Sequence, residues 1–149
     1  MADKEIHGSL YFRLKLDDRE GSGLFTEANG GGSENAIIEQ KVALPDGKGV
    51  EIKKIPGNLK YNDITLKRGI DADMKLWEWR QLVVNGKYKE ARCNGTIEML
   101  DSEFNPVAAY SFERGWVSKY TPAGMNAGQD QAAIEEITIC VEKYERVPA

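Results

Sequence analysis

The chain has 149 residues, 41% hydrophobic and 30% charged, with 20 Lys and Arg against 24 Asp and Glu for a net charge of −4. That length suits one domain (1–149) with one core, and the balance is that of a folded chain, not a disordered one. The acidic total argues against a free-standing nucleic-acid binder, no apolar run approaches the ~18 residues of a membrane span, and the start Met1-Ala-Asp-Lys-Glu-Ile-His-Gly8 has no apolar signal core. Synthesis in the cytoplasm, without stable membrane insertion, is the expectation.

Residues 8–16 alternate Leu10, Phe12, Leu14 and Leu16 with Ser9, Tyr11, Arg13 and Lys15, the pattern of a half-buried strand. A polar turn over 17–23 and a short strand over 24–28 follow. Asn29-Gly-Gly-Gly-Ser-Glu-Asn35 reads as a flexible loop. Ile38, Gln40, Val42 and Leu44 then alternate with Glu39, Lys41 and Ala43, and the alternation resumes at Val50 after Pro45-Asp-Gly-Lys-Gly49. This predicts a hairpin with Asp46, Gly47 and Lys48 in its turn, and Pro56-Gly57 as the next punctuation.

Tyr61 to Arg68 reads as a strand with Ile64 and Leu66 on one face, broken at Gly69. A helix is predicted over 71–84, capped by Asp71 or Asp73. Met74, Trp77, Gln81 and Val84 share one stripe of it, with Leu76, Trp79 and Val83 beside them, and Asn85-Gly86 ends it. Thr96–Leu100 and Val107–Glu113 form a second hairpin around an Asn105-Pro106 turn, with Trp116–Tyr120 as a short extension and 121–129 as a loop. Ile134–Val147 is a long terminal strand in which Ile137, Ile139 and Val141 oppose Thr138, Cys140 and Glu142. Frequent strands with one main helix predict a mainly β fold, an antiparallel sandwich or small barrel with a flanking helix.

Reactive chemistry is hard to assemble from these residues. His7 is the single histidine, so a multi-His metal site is impossible. Cys93 and Cys140 form no C-x-x-C pair, have no histidine base and fit a reducing compartment. Gly47-Lys48 fails the phosphate-loop pattern, because Val42 stands where its first glycine belongs and Gly49 replaces the hydroxyl. Lys75 breaks the calcium-loop spacing begun by Asp71 and Asp73. Glu135 and Glu136 are adjacent on a strand and point to opposite faces. No cofactor, metal or catalytic residue is predicted, and no enzyme. Trp77 and Trp79, two apart on a helix, lie about 200° apart around its axis and cannot share one core. One of them is therefore a candidate interface anchor. Charge pairs among Arg68, Glu78 and Arg80 are open within or between subunits.

Ile64-Thr-Leu-Lys-Arg-Gly-Ile70 followed by Leu76-Trp-Glu-Trp-Arg80 resembles the tail tube protein family of contractile phage-like tails. The resemblance runs on through Asn94-Gly-Thr-Ile-Glu-Met-Leu-Asp101, Ala109-Tyr-Ser-Phe112, Gly115-Trp-Val-Ser-Lys119 and the closing 133–147, and the N-terminal third matches more loosely. It implies a β-sandwich or barrel whose hexameric rings stack into a hollow tube. The implied partners are further copies of the chain, a sheath protein, baseplate or hub and tail-terminator proteins, and a lumen cargo of protein effector or DNA. The implied location is a phage tail or an injection particle. A tube-initiator or baseplate-adaptor ring, and a secreted type VI-like ring protein, are the alternatives. Candidate fold or interface determinants are Arg68, Trp77, Glu78, Trp79 and Arg80, with Asp46, Gly47 and Lys48 in the hairpin turn. Trp79→Ala or Glu78→Lys is expected to block assembly more than it lowers the melting temperature.

Overall fold

A computed structural model describes residues 10–19, 23–70, 73–123 and 133–149. The strands are β1 (Tyr11–Leu16), β2 (Gly23–Phe25), β3 (Glu27–Gly30), β4 (Ser33–Ala43), β5 (Val50–Tyr61), β6 (Ile64–Gly69), β7 (Cys93–Leu100), β8 (Pro106–Ala123), β9 (Ile134–Cys140) and β10 (Lys143–Val147). Two helices, α1 (Lys75–Val84) and α2 (Tyr88–Ala91), lie between β6 and β7. His7 and Asp71 lie outside the described residues, and so does the predicted loop over 121–129 from residue 124 on; its first three residues are not loop but continue β8, paired with β9.

The main sheet runs β2-β1-β7-β8-β9-β6-β3, antiparallel throughout, with β10 added on β8. Its two ends belong to one stretch of chain. Residues 23–25 pair with β1, residues 27–30 pair with β6, and the Thr26 N–H donates to Lys67 O at 3.0 Å between them. The sheet therefore closes on itself, which resolves the predicted sandwich-or-barrel alternative to a barrel. Leu14, Phe25, Leu66, Phe112, Val117 and Ile137 fill it, all fully buried.

β8 holds the barrel together. Its first half lies between β7 and β10, and its second half pairs with β9. The predicted extension Trp116–Tyr120 is thus the continuation of one 18-residue strand. The strand bends at Arg114-Gly115, where Arg114 has φ +53° and its N–H donates to Asn94 Oδ1 at 3.0 Å. A Cβ on Gly115 would sit 2.5 Å from the Phe112 ring, so only glycine fits. The terminal strand breaks opposite that bend, at Val141-Glu142, giving β9 and β10.

Several expectations need correction. The flexible loop over 29–35 is almost absent: β3 runs to Gly30 and β4 begins at Ser33. Gly30 and Gly31 serve close approach, since a Cβ on Gly30 would lie 2.2 Å from Asp63 O and one on Gly31 2.8 Å from the Tyr144 ring. Pro56-Gly57 does not end a strand either. It forms an irregularity inside β5, opposite Asn35–Ile37.

The helix starts four residues later than predicted, at Lys75, whose N–H donates to Asp73 Oδ1 at 3.0 Å. Its buried residues are Leu76 and Trp79, whereas Met74, Trp77 and Val84 face outward. The stripe read from Met74 and Trp77 is therefore the outer one. Gly86, with φ +78°, turns the chain into α2, a helix too short for periodicity to reveal.

Candidate assembly surface

β4 and β5 form a separate two-stranded arm. It leaves the barrel at the end of β3 and returns at the start of β6, while α1 and α2 follow the other end of β6. Every residue of β4 is exposed, and so are most of β5. Cross-strand partners share a face. Ile37 faces Pro56, Lys41 faces Ile52 and Ala43 faces Val50 on one side; Ile38 faces Ile55 and Val42 faces Glu51 on the other. Apolar side chains thus lie open on both faces. A lone two-stranded hairpin is marginal in water, and large exposed apolar patches mark interaction surfaces. The tip is a tight turn: Asp46 Oδ1 accepts the Lys48 N–H at 2.9 Å, Gly47 has φ +71°, and the Leu44 N–H donates to Gly49 O at 3.0 Å. The sequence located this turn but not the length of the arm, because Ala36-Ile37-Ile38 and Lys53-Lys54-Ile55-Pro56 interrupt simple alternation.

The second candidate group divides in two. Trp79 is 1% exposed, and its Nε1–H donates to Ala91 O at 2.7 Å, fastening α1 to α2. The Arg80 guanidinium donates to Val117 O at 2.9 Å and fastens α1 to β8. Both act inside the subunit, so the expectation that Trp79→Ala mainly blocks assembly is corrected: that change empties the core. Trp77 is 42% exposed and rests edge-on against Tyr120, with ring centroids 5.3 Å apart. Glu78 is exposed one residue further on. Trp77→Ala is expected to lower unfolding free energy by about 1–3 kcal/mol, less than a fully buried tryptophan, because 42% of the residue is already in water. Urea denaturation of the isolated subunit checks this, and a loss above ~4 kcal/mol would place Trp77 among the core residues.

Arg68 also belongs inside the subunit. It shares the buried face of β6 with Ile64 and Leu66. Register places it opposite Glu135 on β9, and its Nε–H donates to Glu135 Oε1 at 2.6 Å. The Tyr120 hydroxyl donates to the other carboxylate oxygen at 2.6 Å, and Arg68 lies over the Phe25 ring, 5.3 Å from its centroid. Arg68 Nη2 is 3.8 Å from Asp73 Oδ2, which ties the start of the helix to the barrel. Glu135 was legible as a member of this face, because it precedes Ile137 and Ile139 in the same alternation; its charge disguised it.

Burial, followed by the hydrogen bond to Glu135, pushes the Tyr120 hydroxyl up to about 12. Burial, with Asp18 adding to it, pushes the Cys93 thiol to about 12 as well. Both folded-state values exceed the ordinary 10.0 and 9.0, so the unfolded chain gives up these protons first. Their stabilising contribution is complete below pH ~9 and is lost as pH rises toward ~12. Urea midpoints measured from pH 8 upward should fall above pH ~9, and Tyr120→Phe should flatten the slope above pH ~10. A slope unchanged by that variant would exclude Tyr120 as a contributor.

The barrel, the arm and the helix pair together match a known group. A family model described as the T4-like virus tail tube protein gp19 covers residues 8–145. The chain belongs to this family. Tail tube proteins of this family are structural proteins. No protein of curated function matches in sequence. Among solved structures, a chain of the anti-feeding prophage baseplate aligns with TM-score 0.73 at 13% identity, covering 99% of this chain and 97% of that one. A chain of the PVC sheath–tube complex of an extracellular contractile injection system aligns with TM-score 0.71 at 18% identity, covering 93% and 88%. Hcp1 from Flavobacterium johnsoniae aligns with TM-score 0.53 at 12% identity, covering 91% and 93%. At these identities the likeness to solved structures is one of fold. Among the described residues no helix is long and apolar enough to cross a membrane.

Proposed function

We propose that this tail tube family member forms hexameric rings that stack into the rigid inner tube of a contractile injection system or phage tail. A sheath surrounds the tube, a baseplate starts it and a terminator ends it. Contraction of the sheath drives the tube through a target envelope. The tube subunit then needs shape and contacts, with no reaction centre. The observation that carries this reading is the β4–β5 arm, which exposes Ile37, Val50 and Ile52 by 54–69%. A monomer gains nothing from such an arm. In a closed assembly of identical subunits, each arm finds a covering surface on the next copy through a heterologous contact.

Electron microscopy of the concentrated protein, beside particles from its source, tests the proposal. Stacked rings, or a tube inside a sheath, are the expected result. Rings that never lengthen would favour the initiator or secreted-ring reading instead. Monomers alone, together with native particles that lack the protein, would overturn it.

A further inference from the structure

We infer that the two faces of the β4–β5 arm bind two different copies of this chain, in a fixed order. The face bearing Ile37, Val50 and Ile52 binds the neighbour within a ring. The face bearing Ile38, Val42 and Ile55 binds a copy in the adjoining ring. This assignment rests on the tube reading above.

Side chains alternate strictly across a ribbon, so an arm laid on a single surface needs one apolar face and keeps the other polar. This arm departs from that pattern. On one face Ile37, Ile52, Val50, Ala43 and Pro56 outnumber Glu39, Lys41 and Lys54. On the other, Ile38, Ile55 and Val42 are matched by Gln40, Lys53 and Glu51. Neither face is covered by the subunit's own barrel, since β4 is exposed along its whole length. Two uncovered faces on a two-stranded ribbon, one mostly apolar and one half apolar, fit two covering surfaces of different character, and a tube offers two kinds of neighbour.

The order follows from solubility. A ring that waits to stack must leave one arm face in water. The face with the larger apolar share suits the permanent contact, because obligate interfaces are the more apolar ones. Its isoleucines and valine are 54–69% exposed in the subunit, against 39–52% for the corresponding residues of the other face. The second face carries an ion pair of its own, Lys53 Nζ to Glu51 Oε1 at 3.1 Å, which tolerates water. Ring closure therefore comes first and stacking second.

The test compares Ile37→Lys/Ile52→Lys with Ile38→Lys/Val42→Lys, which add equal charge to opposite faces. All four positions are exposed, and circular dichroism and urea midpoints near wild type verify the fold. Sedimentation velocity and electron microscopy read the assembly state. The first variant should lose both rings and tubes and sediment as monomer. The second should retain rings and lose tubes. Added to wild type, the second variant's rings should shorten the tubes, because they still offer a receiving surface but extend no working arm face. The same phenotype from both variants, or the reverse assignment, would overturn the inference while wild-type tubes left the tube reading intact. Wild type that forms neither rings nor tubes would overturn both.

Discussion

Glu135→Ala is expected to destabilise the subunit by about 3–5 kcal/mol, the range for breaking a buried ion pair from one side. The substitution strands the Arg68 guanidinium in the barrel wall and removes the acceptor of the Tyr120 hydroxyl, both held at 2.6 Å in the native protein. Asp73, 3.8 Å from Arg68 and closer to solvent, replaces little of that. Against a total stability of roughly 5–15 kcal/mol, this is a large fraction. Substituting both partners by apolar residues, Arg68→Met with Glu135→Leu, is expected to recover part of that loss, because no buried charge is then left unpaired, while the Tyr120 hydroxyl still lacks its acceptor at a cost of about 1–3 kcal/mol. Urea unfolding of the single and double variants decides the matter. A single variant within ~1 kcal/mol of wild type would mean that water already screens the pair.

The second large effect falls on Trp79. Truncation to alanine removes an indole that is 1% exposed and leaves Ala91 O without its donor. About 3–5 kcal/mol is the expected loss, or a fall in melting temperature of roughly 10 °C for a domain of this size. Trp79→Phe keeps most of the volume and loses the N–H, at about 1–3 kcal/mol. If Trp79→Ala melted like wild type and only assembly failed, the helix pair would be an interface after all. The neighbouring Trp77→Ala supplies the internal contrast, since it has less buried surface to lose.

The pattern of the sequence was legible where one side of an element meets the core. Leu14 in β1, Ile64 and Leu66 in β6, and Ile137 and Ile139 in β9 follow the expected alternation and are all buried. Legibility failed where other forces set the conformation. The triple glycine looks like a loop because its composition is that of one, yet the approach of Asp63 O and Tyr144 decides it. The arm has no core side, so its strands extend past the stretch that alternates. Helix geometry separates Trp77 from Trp79, but which of them turns inward depends on α2, whose four residues give no periodic signal. The sequence leaves Arg68 open to pairing with Glu78; its actual partner, Glu135, emerges only when β6 and β9 are paired in register.

Closure of the barrel has a mechanical consequence. An open sandwich can yield by sliding one sheet over the other. Here the segment 23–30 joins the two ends of the sheet through ladders on both sides, so shear would have to break rows of backbone hydrogen bonds together. The body of the subunit is therefore a stiff bead. The arm, held at one end by the chain that joins it to β3 and β6, is the compliant part. In the proposed tube, a column of such beads would resist compression along its axis and would bend where the arms join one bead to the next.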